Sequence, residues 1–175
     1  EIAQIIACQP ERLFLLGRGE NSLYDIASEL GYWSGNERLD IVLADIQNED
    51  LIRNVFEQCR PTIVFHSAAH KHVPFGELAP CEMARNNIFG TLNVGRAAIE
   101  TGARKFILIS TDKAVRPANV LGATKRVAEM VTAWLGQTAA TEFLAVRFGN
   151  VLGSRGSVVP LFMKQIENGG PLTLT

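Results

Sequence analysis

Four side chains able to donate, accept or carry protons fall close together: Thr111, Asp112 and Lys113 in succession, and Lys125 twelve residues on. A hydroxyl, a carboxylate and an amine side by side can hold a substrate hydroxyl, take its proton and return it; a neutral amine can also draw a proton from carbon. A polar turn before a helix would use the same residue types, so position decides between the two readings. The apolar run Lys105 to Ile109 just before reads as a buried parallel strand, and Val120 to about Leu135 reads as a helix. In open α/β sheets, ligands sit at that end of a strand. Lys125 lies four residues after Leu121, so the two share a helix face. Leucine moves no proton, so a proton taken from a substrate hydroxyl must go elsewhere, and Asp112 is the nearest candidate.

The elements that must position these groups alternate along the chain. A helical segment Glu1 to Gln9 ends at Pro10, and Arg12 to Leu16 is a short strand. A helix Leu23 to Leu30 follows, with Asn21 or Ser22 as its cap. Leu39 to Ala44 is the next strand, a helix near Asn48 to Cys59 buries Leu51, Val55 and Phe56, and Thr62 to His66 is a strand. A loop with Pro74 and Pro80 leads to a long helix from about Cys81 to Thr101. After the helix at 120 to 135 come a strand Glu142 to Arg147, a Gly-rich loop and a helix Val159 to Glu167. This alternation predicts an α/β fold: a doubly wound, Rossmann-like parallel sheet with right-handed crossovers.

Other strand ends carry polar or small residues. Gly17-Arg18 follows the strand after which an acid would bind an adenosine ribose and a base would accept a 2′-phosphate. Arg18 thus hints at NADP, though a solvated arginine is an equal alternative. Asp45 and Ile46 end the next strand, where a carboxylate can accept from an adenine amino group or cap a helix. The small residues of Ser67-Ala68-Ala69 would let a cofactor approach the backbone, or simply allow tight packing. His66, His70 and His72 lack a well-spaced fourth ligand, and Lys71 among them repels a cation, so no metal site is expected.

At 175 residues and 47% apolar content the chain is long enough for one sizeable core. A formal net charge of −1 gives no global basic field for nucleic acid. The three cysteines, Cys8, Cys59 and Cys81, form no Cys-x-x-Cys pair and read as reduced thiols in the cytoplasm. No apolar run approaches the roughly 18 to 20 residues of a membrane span.

Several longer stretches carry a resemblance. Ser110-Thr111-Asp112-Lys113-Ala114-Val115, Asn119-Val120, Gly122 to Arg126 and Val146 to Val158 are similar to the polysaccharide-biosynthesis branch of the extended short-chain dehydrogenases. This is the CapD-like family of nucleotide-sugar 4,6-dehydratases acting on UDP-N-acetylglucosamine. Asn21 to Tyr24, Lys71 to Pro74 and Gly90 to Val94 fit the same pattern. The resemblance implies an NAD or NADP cofactor that takes hydride from C4 of the sugar and returns it to C6 after water has left across C5 and C6. By family pattern Thr111 bonds O4, Asp112 shuttles protons at the hydroxyls, Lys113 is the C5 base and Lys125 holds the nicotinamide ribose. Asn87 occupies the family's helix asparagine position, either near the cofactor or as a hydrogen bond in a kinked helix. Asn150, with Arg155 and Ser157, would contact the diphosphate, and Lys71 could reach the substrate.

Two positions depart from the pattern: Leu121 stands where members carry tyrosine or methionine, and Gly17 where aspartate is usual. The resemblance also places residue 1 just after the glycine-rich phosphate loop, and Thr175 before most of the substrate domain. The chain then reads as the middle of a larger enzyme, inactive by itself, whose parent could carry membrane helices ahead of a cytoplasmic catalytic part. Pairing through the two long helices would make a homo-oligomer. The alternatives are a UDP-sugar 4-epimerase, or a sugar-nucleotide binding domain that has lost catalysis.

Overall fold

The computed structural model describes residues 2–149, 151 and 158–172, and the structural statements here concern those residues. Five strands and eight α-helices alternate: α1 (Ile2–Ala7), β1 (Leu13–Gly17), α2 (Glu20–Glu29), β2 (Leu39–Leu43), α3 (Glu49–Cys59) and β3 (Ile63–His66) form the first part. α4 (Val73–Leu78), α5 (Pro80–Ala84), a π-helical turn (Arg85–Phe89), α6 (Gly90–Glu100), β4 (Lys105–Ile109), α7 (Val120–Leu135), β5 (Glu142–Val146) and α8 (Val158–Glu167) follow. All strand pairs are parallel, as two groups: β1 with β2, and β3, β4, β5 in that order. Both groups share one core, because Ala44 and Ile46, just after β2, are buried together with Val64, Phe106 and Leu108. The expected α/β architecture is present.

Local chemistry explains the element ends. The Asn48 side chain accepts from Leu51 N at 3.1 Å and starts α3, whose first turn holds Glu49 and Asp50 beside the positive end of the helix dipole. Asn119 accepts from Gly122 N at 2.8 Å and starts α7 in the same way. Phe106 and Leu108 of β4, alternate residues on one sheet face, are fully buried in a core that includes Val94 and Ala98 of α6 and Ala128 of α7.

Four expectations need correction. α2 begins at Glu20 with Gly19 as its cap and no side-chain capping bond, since Leu23 N already reaches Gly19 O at 3.0 Å. In α3 the buried pair is Ile52 and Phe56, four apart, and Leu51 faces solvent. α4 forms inside the expected loop, with Pro74 in its first turn, where a proline's missing N–H costs nothing. The long helix from Cys81 is interrupted by the π-helical turn, in which Gly90 N reaches back to Arg85 O.

Candidate functional site

Strand β4 delivers the reactive-type residues. Beyond Ile109 the chain stays paired with the segment after β5: Ser110 N donates to Val146 O at 2.7 Å and Asp112 N to Phe148 O at 3.1 Å. The chain then closes a single 3-10 turn over Asp112–Ala114, capped by the Thr111 hydroxyl, which accepts from Lys113 N. Within this turn Thr111 Oγ1 donates to Asp112 Oδ1 at 2.9 Å, and Lys113 Nζ donates to the same oxygen at 3.3 Å. The Thr111 hydroxyl, and then the Lys113 ammonium, hold the Asp112 carboxyl below its usual range. Asp112 is half exposed and its Oδ2 lies against Gly149, where an added Cβ would be 3.6 Å away.

α7 supplies the floor. Lys125 is buried, and its Nζ donates to Ile109 O at 2.6 Å. Burial pulls its pKa down to about 8, an effect that the Glu129 carboxylate partly opposes. Leu121, one turn earlier, is buried as an apolar filler. α7 approaches the triplet closely at Gly122, where an added Cβ would lie 2.5 Å from Lys113 O.

A second polar group gathers where β1, β2 and β3 end. Arg18, after β1, reaches Asp45 Oδ2 at 3.2 Å, Glu82 Oε1 at 3.6 Å and His70 Nε2 at 2.9 Å. Gln47 Nε2 donates to Glu82 Oε1 at 2.8 Å; this bond, followed by that to His70, lowers the Glu82 pKa. Asp45 Oδ1 accepts from Gln47 N at 2.9 Å, so Asp45 shapes the turn and Asn48 caps α3. Ala68 and Ala69, after β3, are half-buried, and Ala68 packs on the core. Lys71 is exposed on the segment that follows.

Two residues expected at a cofactor, Ile46 and Asn87, also hold bonds within the fold. The Ile46 side chain lies in the core against Gly90, and its carbonyl accepts from Asn93 Nδ2 at 3.0 Å. Asn87, almost wholly buried, accepts from His70 N at 2.8 Å and donates to His70 O at 3.1 Å. Its amide clamps the segment after β3, which is the kinked-helix reading. The three histidines go to separate partners: His66 is buried against the Thr91 hydroxyl, His70 joins Arg18 and Glu82, and the His72 ring stands edge-on to Phe75. Asn150, Arg155 and Ser157 lie outside the described residues.

Sequence reasoning overlooked Glu82 and the buried Glu129. Glu129 follows Lys125 by four residues, a spacing that puts both on one helix face. Glu82 carried no signal, since only the fold brings it beside Arg18.

The family described as "Polysaccharide biosynthesis protein" matches residues 1–175. The chain belongs to this polysaccharide biosynthesis family. Among relatives, the capsular polysaccharide biosynthesis protein CapD of Staphylococcus aureus is 54% identical over 175 residues, covering 98% of this chain and 29% of CapD. A UDP-glucose 4-epimerase of Rickettsia rickettsii is 40% identical over 143 residues, 80% of this chain and 41% of that protein. A UDP-N-acetylglucosamine 4,6-dehydratase (inverting) of Campylobacter jejuni is 36% identical over 182 residues, 95% of this chain and 50% of that protein. The chain thus spans half or less of the length of these relatives. Among solved structures, Pen from Bacillus thuringiensis superposes with a TM-score of 0.85 at 35% identity, over 95% of this chain and 51% of Pen. The dTDP-glucose 4,6-dehydratase DesIV of Streptomyces venezuelae, solved with NAD bound, has a TM-score of 0.80 at 19% identity, over 99% of this chain and 59% of DesIV. That second likeness concerns the fold alone. Among the described residues, no helix of this family member is long and apolar enough to cross a membrane.

Proposed function

We propose that this chain is the catalytic core of a nucleotide-sugar 4,6-dehydratase acting on UDP-N-acetylglucosamine, in the making of a surface polysaccharide precursor. The observation that carries the reading is the joined triplet: Thr111, Asp112 and Lys113 meet at one carboxylate oxygen, beside the buried Lys125 at the end of β4. The Campylobacter dehydratase, at 36% identity, supports the substrate.

The residues fit a dinucleotide in strand order: a polar group after β1 and β2, small side chains after β3, and a buried lysine beneath β4. These residues would hold a dinucleotide, which would supply hydride acceptance at C4 and hydride donation at C6. Lys125, held by Ile109 O, would have N–H donors left to offer a ribose hydroxyl. Thr111 would turn its one hydroxyl proton from Asp112 Oδ1 to O4 of the sugar. Asp112, ionised at neutral pH, would accept the O4 proton and deliver it to the departing O6; Lys113, in its neutral form, would remove the C5 proton, and a proton returns to C5 as hydride reaches C6. The net change is loss of one water, with the sugar's two-electron oxidation at C4 balanced by reduction at C6.

The state of Arg18 supports NAD as the cofactor. Its guanidinium is shared between Asp45 and Glu82, so a 2′-phosphate would meet two carboxylates together with the one cation. NAD+ is expected to bind the full-length protein roughly tenfold more tightly than NADP+, a difference of about 1.4 kcal/mol. Titration calorimetry checks this, and equal or tighter NADP+ binding would reject it.

The Rickettsia relative at 40% identity favours a second reading, a UDP-sugar 4-epimerase. Leu121 speaks against it, since a leucine there supplies no phenol to deprotonate O4. Proton NMR of UDP-N-acetylglucosamine with the full-length protein and NAD+ in D2O separates the readings. Dehydration gives a 6-methyl signal with deuterium at C5. A galacto isomer without a methyl signal would establish epimerisation, and an unchanged spectrum with bound nucleotide would mark a binding domain.

A further inference from the structure

The carboxylate of Glu129 has no part in the chemistry above, yet three side chains bond it beside the site. It is 8% exposed and sits on α7, one turn after Lys125. Its Oε1 accepts from Ser110 Oγ at 2.6 Å and from Arg147 Nε at 2.8 Å. Its Oε2 accepts from Arg147 Nη2 at 2.6 Å and Arg126 Nη1 at 3.3 Å. A buried carboxylate is costly unless fully paired, and an apolar filler would often serve stability equally well. What such a filler cannot do is fix direction. The fork of Arg147 on both oxygens sets angle as well as distance.

The two partners define what is being fixed. Ser110 directly precedes Thr111, and Arg147 directly precedes Phe148, whose carbonyl accepts from Asp112 N. Gly149, the next residue, borders the Asp112 carboxylate. Glu129 therefore grips, from behind the sheet end, both chain segments between which the triplet is presented.

We propose that Glu129 is a positioning residue: by holding Ser110 and Arg147 together it sets the spacing between the Thr111–Asp112–Lys113 turn and the Phe148–Gly149 backbone. Its effect on turnover rests on the dehydratase reading; its effect on the turn does not. Position matters to such a site because a misplacement of about 1 Å can cost on the order of a hundredfold in rate.

The test compares the full-length wild type with Glu129→Gln and Ser110→Ala, each at a temperature where circular dichroism shows it folded. Amide hydrogen exchange is measured along the chain, and turnover of UDP-N-acetylglucosamine alongside it. For Glu129→Gln, exchange at the Ser110 and Asp112 amides should rise about tenfold or more against little change elsewhere. kcat should fall about tenfold or more while KM stays within about threefold, because the lost contact orients the reacting groups rather than binding the sugar. An exchange increase spread evenly over the chain would overturn the proposal and leave Glu129 a plain stabiliser, as would wild-type kcat with undisturbed exchange. If wild type itself forms no dehydrated product, the functional reading fails, and the location of the exchange increase alone decides the positioning role. Should Glu129→Gln not fold, Ser110→Ala, which deletes one hydroxyl, carries the same comparison at Asp112.

Discussion

Asp112 and Lys125 differ in how their surroundings act on them, and each difference is measurable. Asp112 is half exposed and held ionised by Thr111 and Lys113. Asp112→Asn keeps the size and loses the proton carrier, so turnover should drop by roughly 10² to 10⁴ with little change in melting temperature. Near-wild-type rates in a steady-state assay would remove Asp112 from the mechanism. Lys125 has a folded pKa of about 8 against 10.5 for an ordinary lysine, because burial disfavours the ammonium. The unfolded chain holds that proton more tightly, so the buried ammonium is a destabilising contribution present in full below pH 8 and relieved as pH rises toward 10.5. Lys125→Met removes this contribution along with a hydrogen bond to Ile109 O. Thermal melts should therefore show wild type gaining on the methionine variant between those pH values; parallel curves would contradict the buried charge.

Among the elements, β4 and α7 were legible to the residue. The apolar run Phe106 to Ile109 has no competing period, and α7 keeps helical spacing from Val120 to Leu135; its Asn119 cap was seen only in the fold. The π-helical turn was not, because Arg85 to Phe89 holds no proline or glycine to mark it; the buried Asn87 in it bonds the His70 backbone, a contact that exists only after folding. The start of α2 was misread because Asn21 and Ser22 are good caps that the helix does not use. The closeness of α7 to the triplet turn also depends on tertiary contact. At Gly122 a methyl would sit 2.5 Å from the backbone oxygen of Lys113, and backbone cannot swing aside as a side-chain tip can. Gly122→Ala should therefore cost about 1 to 3 kcal/mol in denaturant unfolding despite alanine's better helix propensity. A gain in stability would show that α7 and the turn are less tightly joined than described.

For the molecule as a whole, the α/β class and the alternation of elements followed from apolar periodicity, and the triplet with Lys125 followed from its place at a strand end. Which polar residues would find one another did not follow. Arg18 read alone suggested a site for a phosphate, whereas folding brings Asp45 and Glu82 to it from 27 and 64 positions away in the chain. Acid stability is a property of the same scale. Buried His66, next to Thr91, has its pKa lowered from 6.5 to about 3 by desolvation and then by Lys125. The unfolded chain takes up that proton first, so stability falls with pH below 6.5, by about 1.4 kcal/mol per pH unit at most. Glu129 acts lower down: its carboxyl, held to about 2 chiefly by Arg147, gives stability that is lost only as pH drops below 4.5. His66→Gln should flatten the melting-temperature profile between pH 6.5 and 4.5 and leave the steeper fall below it. An unchanged slope in that window would assign the loss to other groups.

The paired run past the ends of β4 and β5 has a consequence for how such a sequence can diverge. Ser110 bonds Val146 and Asp112 bonds Phe148, so two steps along one segment match two along the other. These bonds run from backbone to backbone, so substitution at Val146 or Phe148 leaves the match itself intact, whereas Ser110 and Arg147 are also tied through Glu129. Gain or loss of a single codon between 146 and 148 would move Phe148 and Gly149 out of step with the triplet, so this stretch is closed to change in length.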